Sequence, residues 1–433
     1  MGSVIAGIAF AKAPDWIGRK WALFVGAVVT IVGVVLQTAA QNNAMFVIAR
    51  IIIGFGTGAS SIAAPVYLSE TVPDKLRALS LVLLYDSWYV GDLIAAGITY
   101  GSAKMDSTRA WRLPSALLGL FSLLCIILIP FPPESPRWLQ NQGRSQEALL
   151  ALARTHSNGS IDDPAVTVQF RQITDTLAFE NSSTPHRIFL VCTVAVFAML
   201  SGNNIISYYF GTMLTQAGAT DPTTQLEINI ILSAWCLVIP LVGTAMADKL
   251  GLKSRAAAST GLLTILIFLV GALTKLYGVS DHSSGIYGTV AAIFLFQGAY
   301  SFGWTPLTVL YPPEVLNIGI RSLGMGIYTF LVKGVGLLVT FAFPFALEAI
   351  GWKTYMINGA WDVVELVVVL VFSMEIRGRT LEEIDENLDG EVHSAAPPLQ
   401  AILDVAPEER AEVVGALELR KDKDFVVREV MEE

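Results

Sequence analysis

The chain has 433 residues, of which 53% are hydrophobic and only 15% charged, with a formal net charge of −9 and a mean hydropathy of +0.58. A soluble domain carries about 25% charge, so this balance excludes an ordinary globular domain. The negative charge is concentrated after Thr380, in a solvated run of Glu, Asp and Lys, and no basic patch offers a footprint for nucleic acid.

Met1–Phe10 is apolar but too short to span a bilayer, and Lys12 follows it. Without a basic n-region or cleavage pattern it does not read as a signal peptide. It reads instead as the second half of a helix, so the first helix and part of the second are expected to be missing. Apolar blocks then follow at 21–40, 44–68, 79–102 and 111–131. Each is close to the ~20 residues a helix needs to cross a bilayer, and backbone groups in lipid must be satisfied internally, so these blocks are helices rather than strands. A polar gap at 132–186 contains one helix-forming stretch, Ser145–Ala153. Further blocks lie at 187–210, 226–247, 256–277, 287–312, 322–347 and 353–374. The expected division is a transmembrane half at 1–131, a cytoplasmic loop with short helices at 132–186, a second transmembrane half at 187–376 and a cytoplasmic tail at 377–433. Placing the 132–186 loop inside puts about 15 Lys and Arg on the inner side against about five outside, the bias that sets topology.

Cys125, Cys192 and Cys236 each sit inside an apolar block, without the spacing of a disulfide or metal site. They read as small hydrophobes. No cofactor or metal is expected. No nucleophile–base set or phosphate-cradling loop argues for an enzyme.

The two halves repeat a charge pattern. Asp15-Trp16-Ile17-Gly18-Arg19-Lys20 recurs as Asp248-Lys249-Leu250-Gly251-Leu252-Lys253. Tyr67, Glu70 and Arg77 recur at the same spacing as Tyr311, Glu314 and Arg321, and Glu134-Ser135-Pro136-Arg137 has a looser partner in Glu375, Arg377 and Arg379. All fall at inner helix ends. A single cluster would read as a topology anchor. Three clusters duplicated in register point to a transporter that rocks around a midplane site, with these charges as a cytoplasmic gate whose ion pairs bias two conformations.

Pro133-Glu134-Ser135-Pro136-Arg137-Trp138-Leu139, preceded by Trp111-Arg112-Leu113-Pro114, resembles a signature of the sugar porters of the major facilitator superfamily. Arg50, Gly54–Gly58, Pro65, Tyr67, Glu70, Pro73 and Arg77 resemble their fourth helix. Ser201-Gly202-Asn203-Asn204 with Tyr208-Tyr209 resembles the seventh, and Trp304-Thr305-Pro306 through Arg321 the tenth. Gly378-Arg379-Thr380-Leu381-Glu382-Glu383-Ile384 completes the set. The resemblance covers about residues 10–386 and is nearest the fungal hexose and lactose/cellodextrin branch. It implies an all-α membrane protein of two pseudo-symmetric six-helix halves. The implied activity is alternating-access transport of a hexose or small oligosaccharide, by uniport or proton symport. The implied partners are the sugar, the lipid bilayer and, for a symporter, protons. A monomer in the plasma membrane is expected. Rival readings are a sugar sensor of transporter-like build and a non-functional remnant.

A sugar site wants amides that donate and accept, and aromatic rings to cover the sugar face. Asn204 matches the family's sugar-binding position in the seventh helix, with Asn203 beside it. Tyr208, four residues on, shares the face of Asn204. Trp304 matches a tenth-helix Trp expected to stack on sugar, and Gln297 lies two turns before it. Tyr85 stands at a family amide position. Other polar positions of the family fall on Leu118, Ala198, Met199 and Cys236, and each lost hydrogen bond should cost about 1 kcal/mol. Asp86, Asp92, Lys333 and Glu365 are charges within spans, functional candidates by default. Matched depth on consecutive helices suggests a Lys333–Glu365 pair.

Overall fold

The computed structural model describes residues 1–178 except 106, then 184–204, 210, 211, 214, 221–245, 251–277 and 283–372, with isolated positions from 381 to 412. The first half comprises α1 (Gly2–Ala9), α2 (Ala13–Ile17), α3 (Arg19–Thr38), α4 (Asn43–Thr71), α5 (Asp74–Ser102), α6 (Arg109–Leu117) and α7 (Gly119–Leu128). Three short helices follow, α8 (Pro136–Asn141), α9 (Ser145–His156) and α10 (Pro164–Ala178). The second half comprises α11 (Thr184–Leu200), α12 (Pro222–Ala245), α13 (Leu252–Tyr277), α14 (Ser283–Val315), α15 (Arg321–Ile350) and α16 (Lys353–Phe372). Among the described residues eight helices are long and apolar enough to cross a membrane.

The expected spans coincide with helices, with two differences. The block at 111–131 is broken at Leu118 into α6 and α7. The block at 187–210 is interrupted at Ser201-Gly202, where Gly202 takes a φ of +81° before helix resumes at Asn203. A Cβ at Gly202 would lie 2.4 Å from Ile267 and 2.6 Å from the Asn358 amide oxygen. Both backbone angle and space therefore demand glycine. The loop helix expected at Ser145–Ala153 runs on to His156.

α1 packs against α4 and α15, in part because Gly58 lets the chain at Ser3 and Ala6 approach closely. Phe10, Ala22, Ile62, Val66, Val191, Leu316 and Met325 form a core that joins the two halves. A larger core fills the second half around Phe296, Trp304, Leu307 and Tyr311, and reaches Leu81 and Val82 of α5. Val35, Leu124, Phe341, Phe345 and Val371 are exposed, as a lipid-facing surface requires. Of the cysteines only Cys236 is buried, while Cys125 is exposed, because a bilayer rewards apolar side chains on the outside as well.

Candidate functional site

At the end of the bundle expected to face inward, α2 and the N-terminus of α3 bring Asp15 and Arg19 beneath the C-terminal end of α4. Arg19 and Glu70 are completely buried. Arg19 donates from Nε to Glu70 Oε2 at 3.1 Å and pairs with Asp15 Oδ1 at 3.1 Å. Ser135 Oγ also donates to Glu70 Oε2. Arg321, on the opposite half, donates to Glu70 Oε1 at 3.0 Å and is itself completely buried. Arg77 of α5 reaches Glu314 of α14 at 3.0 Å.

These two bridges are reciprocal. The Glu of the first Glu…Arg repeat pairs with the Arg of the second, and the Arg of the first with the Glu of the second. The duplication in sequence thus becomes an exchange across a pseudo-two-fold axis. A third link joins the halves where Ser322 Oγ donates to Asp15 Oδ1 at 2.8 Å.

Glu134 and Arg137 make contacts within the first half. Glu134 Oε1 accepts the backbone N–H of Lys20 at 3.1 Å and of Ser135 at 2.9 Å. Arg137 donates to the Glu70 carbonyl at 3.2 Å. Trp138 Nε1 donates to the Asp15 carbonyl at 2.8 Å. These contacts brace the first half internally. Burial pushes the Asp15 carboxyl up, against the lowering pull of Arg19 and of the Ser322 hydroxyl. Burial likewise pushes Glu134 up, against the two backbone donors that favour its charge. Asp248, Glu375 and Arg379 lie outside the described residues.

At mid-depth, α5 packs on α12 and α14. Tyr89 shares hydrogen bonds with Ser301 at 3.0 Å and Thr305 at 2.8 Å, and Ser233 Oγ donates to Asp92 Oδ2 at 2.6 Å. Asp92 therefore faces the opposing half. Tyr89 was not among the expected residues, although it lies between Tyr85 and Asp92 on one helical face. That spacing was the signal. Tyr85 packs at the edge of the second-half core, and Asp86 is buried.

The broken α11 positions the amides. Asn204 Nδ2 donates to the Met199 carbonyl at 3.0 Å, satisfying a backbone group freed by the break. The Asn203 side-chain oxygen is buried without a partner. Tyr208 lies outside the described residues. Gln297 is buried in α14. Trp304 departs from the expected stacking role. It is completely buried and donates from Nε1 to Thr260 Oγ1 of α13 at 3.1 Å. Here it fills the second-half core, where its ring has apolar neighbours and its N–H a partner.

The Lys333–Glu365 pair does not form. Lys333 Nζ sits over the Trp88 ring, 5.9 Å from its centroid, and Glu365 Oε1 accepts Trp361 Nε1 at 2.6 Å. Equal depth on consecutive helices did not put the two charges on facing sides.

Two pseudo-symmetric helical halves, locked at one end by exchanged ion pairs, define a polytopic membrane carrier. The chain belongs to the Sugar (and other) transporter family, whose description matches residues 1–388. It is 28% identical over 414 residues to a high-affinity glucose transporter of Kluyveromyces lactis, covering 89% of this chain and 75% of that protein. Its fold matches that of the MFS proton:xylose symporter XylE bound to 6-bromo-6-deoxy-D-glucose, with TM-score 0.79 at 21% identity over 89% of this chain and 87% of that one. The inward-open form of the xylose transporter XylE from E. coli matches with TM-score 0.65 at 22% identity, over 89% and 86% of the two chains.

Proposed function

We propose that this protein carries a monosaccharide across the plasma membrane by alternating access, and that the exchanged ion pairs are its inner gate. The observation that carries the reading is the reciprocity of Glu70–Arg321 and Arg77–Glu314. These two cross-half pairs form only when the inner ends meet. Opening the inner side separates them and hydrates them, so the pairs set the relative free energy of two states. The relatives' names favour a hexose such as glucose over a disaccharide, and support the reading of a fungal hexose branch. Asn203, Asn204, Tyr85 and Gln297 are the polar side chains proposed to meet the sugar, together with Tyr208. A proton-coupled mode is favoured over uniport by the likeness to symporters.

Uptake of labelled D-glucose and D-xylose into proteoliposomes containing the purified protein tests the reading. Saturable uptake that unlabelled glucose competes away is the expected result. Sugar binding without flux would overturn it in favour of a sensor.

A further inference from the structure

α16 carries a second acid that the charge pattern of the sequence did not single out. Asp362 and Glu365 are both completely buried, half-way along the helix. Among the described residues neither carboxylate oxygen of Asp362 has a hydrogen-bond partner, and Glu365 Oε2 has none either. The Asn358 side-chain oxygen, one turn earlier, is also unpartnered, while its Nδ2 donates to the Leu200 carbonyl at the break in α11. Positions 358, 362 and 365 follow one face of the helix.

Among the described residues the neighbours form no ion pair with either acid. α16 packs on α13, α15 and α11. Phe268 of α13 lies against Gly359, and the Phe197 ring of α11 sits edge-on to Trp361 at 6.0 Å. Several of the titratable and charged groups on the surrounding elements are engaged elsewhere, and Lys353 lies at the start of α16, two turns or more from both acids. On α13, Arg255 donates to the Gly243 carbonyl and Lys275 lies over Trp352. On α15, Lys333 lies over Trp88 and Tyr328 donates to the Thr308 carbonyl. On α11, Arg187 donates to the Val315 carbonyl. On α14, Tyr300 lies within electrostatic reach of Glu365 but donates to the Ala198 carbonyl. On α16 itself Trp361 supplies one donor. Among the described residues no ion pair involves either acid.

An ionised carboxylate in such surroundings takes up a proton rather than bear the loss of hydration, and two acids one turn apart repel each other as anions. From the unpartnered oxygens, the burial and the lack of an ion pair among the described residues we propose that Asp362 and Glu365 form a proton-binding site inside the second half. Its occupancy couples sugar movement to a proton gradient. The break in α11 gives the site a mechanical link, because Asn358 binds the carbonyl of Leu200 four residues before Asn204. The coupling rests on the transport reading above; the protonation does not.

The experiment has two arms. In the first, infrared spectra of the purified full chain in detergent are recorded at neutral pH. The wild type should show a protonated-carboxyl C=O band that weakens in Asp362→Asn and in Glu365→Gln and is lost in the double variant. Asn and Gln preserve volume, and helical circular dichroism checks folding. Each single variant decides the matter if the double does not fold. A wild-type spectrum without that band, or a band unchanged by all variants, overturns the site. In the second arm, proteoliposomes take up D-glucose with and without an inward proton gradient. The wild-type ratio of the two rates should exceed one, and that of Glu365→Gln should fall to one. A ratio unchanged in the variant, or stimulation by a sodium gradient instead, overturns the proton assignment. Failure of all glucose uptake would sink the transport reading while leaving the infrared result to decide the site.

Discussion

Glu70 and Asp362 are both completely buried carboxylates in membrane helices, but they have opposite surroundings. Glu70 receives Arg19, Arg321 and Ser135, whereas Asp362 has no hydrogen-bond partner among the described residues. The first arrangement keeps a charge in place by surrounding it with donors from both halves of the molecule, so its stability depends on how the halves sit. The second depends on a proton. A buried acid thus reports either a conformation or a proton, according to its partners. The two sites divide those tasks between the inner end and the middle of the second half.

Neutralising Glu70 should have the largest effect. Glu70→Gln removes the carboxylate that the buried guanidinium groups of Arg19 and Arg321 share, and breaking a buried pair from one side costs about 3–5 kcal/mol. A shift of that size moves a two-state equilibrium by at least a hundredfold. Spin labels at the inner ends of α4 and α15 should report the longer, open distance in the variant. An unchanged distance would mean that the ion pairs do not hold the halves together.

Ser135→Ala should do less. It removes one hydrogen bond to a charged acceptor, worth about 1.5–3 kcal/mol, and leaves both arginines in place. The same labels should show a partial shift toward the open distance. A shift as large as that of Glu70→Gln would show that the hydroxyl, rather than the guanidinium groups, holds Glu70.

The smallest effect is the dependence on pH. Asp15, which faces Arg19, Ser322 and Glu70, and Glu134, which faces Lys20, Ser135, Arg19 and Glu70, are both pushed up by burial in the closed state. The closed state therefore binds protons more readily than a state in which these groups meet water. Its advantage is present at low pH and is lost as pH rises from the ordinary carboxylate value of ~4 through their raised values. The closed fraction should fall as pH rises through that window, less steeply in Asp15→Asn. A rise across the window would reverse the sign and contradict the burial argument.

Much of the fold was legible because hydropathy and length decide which segments cross a bilayer. Even α14, with Pro306, Pro312 and Pro313 inside it, is helical, since freed carbonyls in a membrane helix find other donors. The Tyr328 hydroxyl, for example, donates to the Thr308 carbonyl. The repeat revealed which charges belong together but not who pairs with whom, because the exchange Glu70–Arg321 and Arg77–Glu314 exists only once the halves meet. Helix faces were harder to read. A hydropathy block does not say which side of α14 meets α13, so Trp304 was expected in a cavity and is in the core. In α16 the carboxylate of Glu365 stood out at mid-span, while Asp362, one turn before it on the same face, went unread. Its meaning depends on what is absent around it, and only packing shows that.

The central claim is that exchanged ion pairs close the inner side, and charge reversal at the second bridge tests it most directly. Cys236 is buried, and replacing Cys125 and Cys192 by Ser makes it the one thiol to follow. In inside-out vesicles a membrane-impermeant maleimide should label Cys236 slowly in this background, rapidly after Arg77→Glu, and slowly again when Glu314→Arg is added. Equal labelling in all three, or a double variant as open as the single one, would contradict the account.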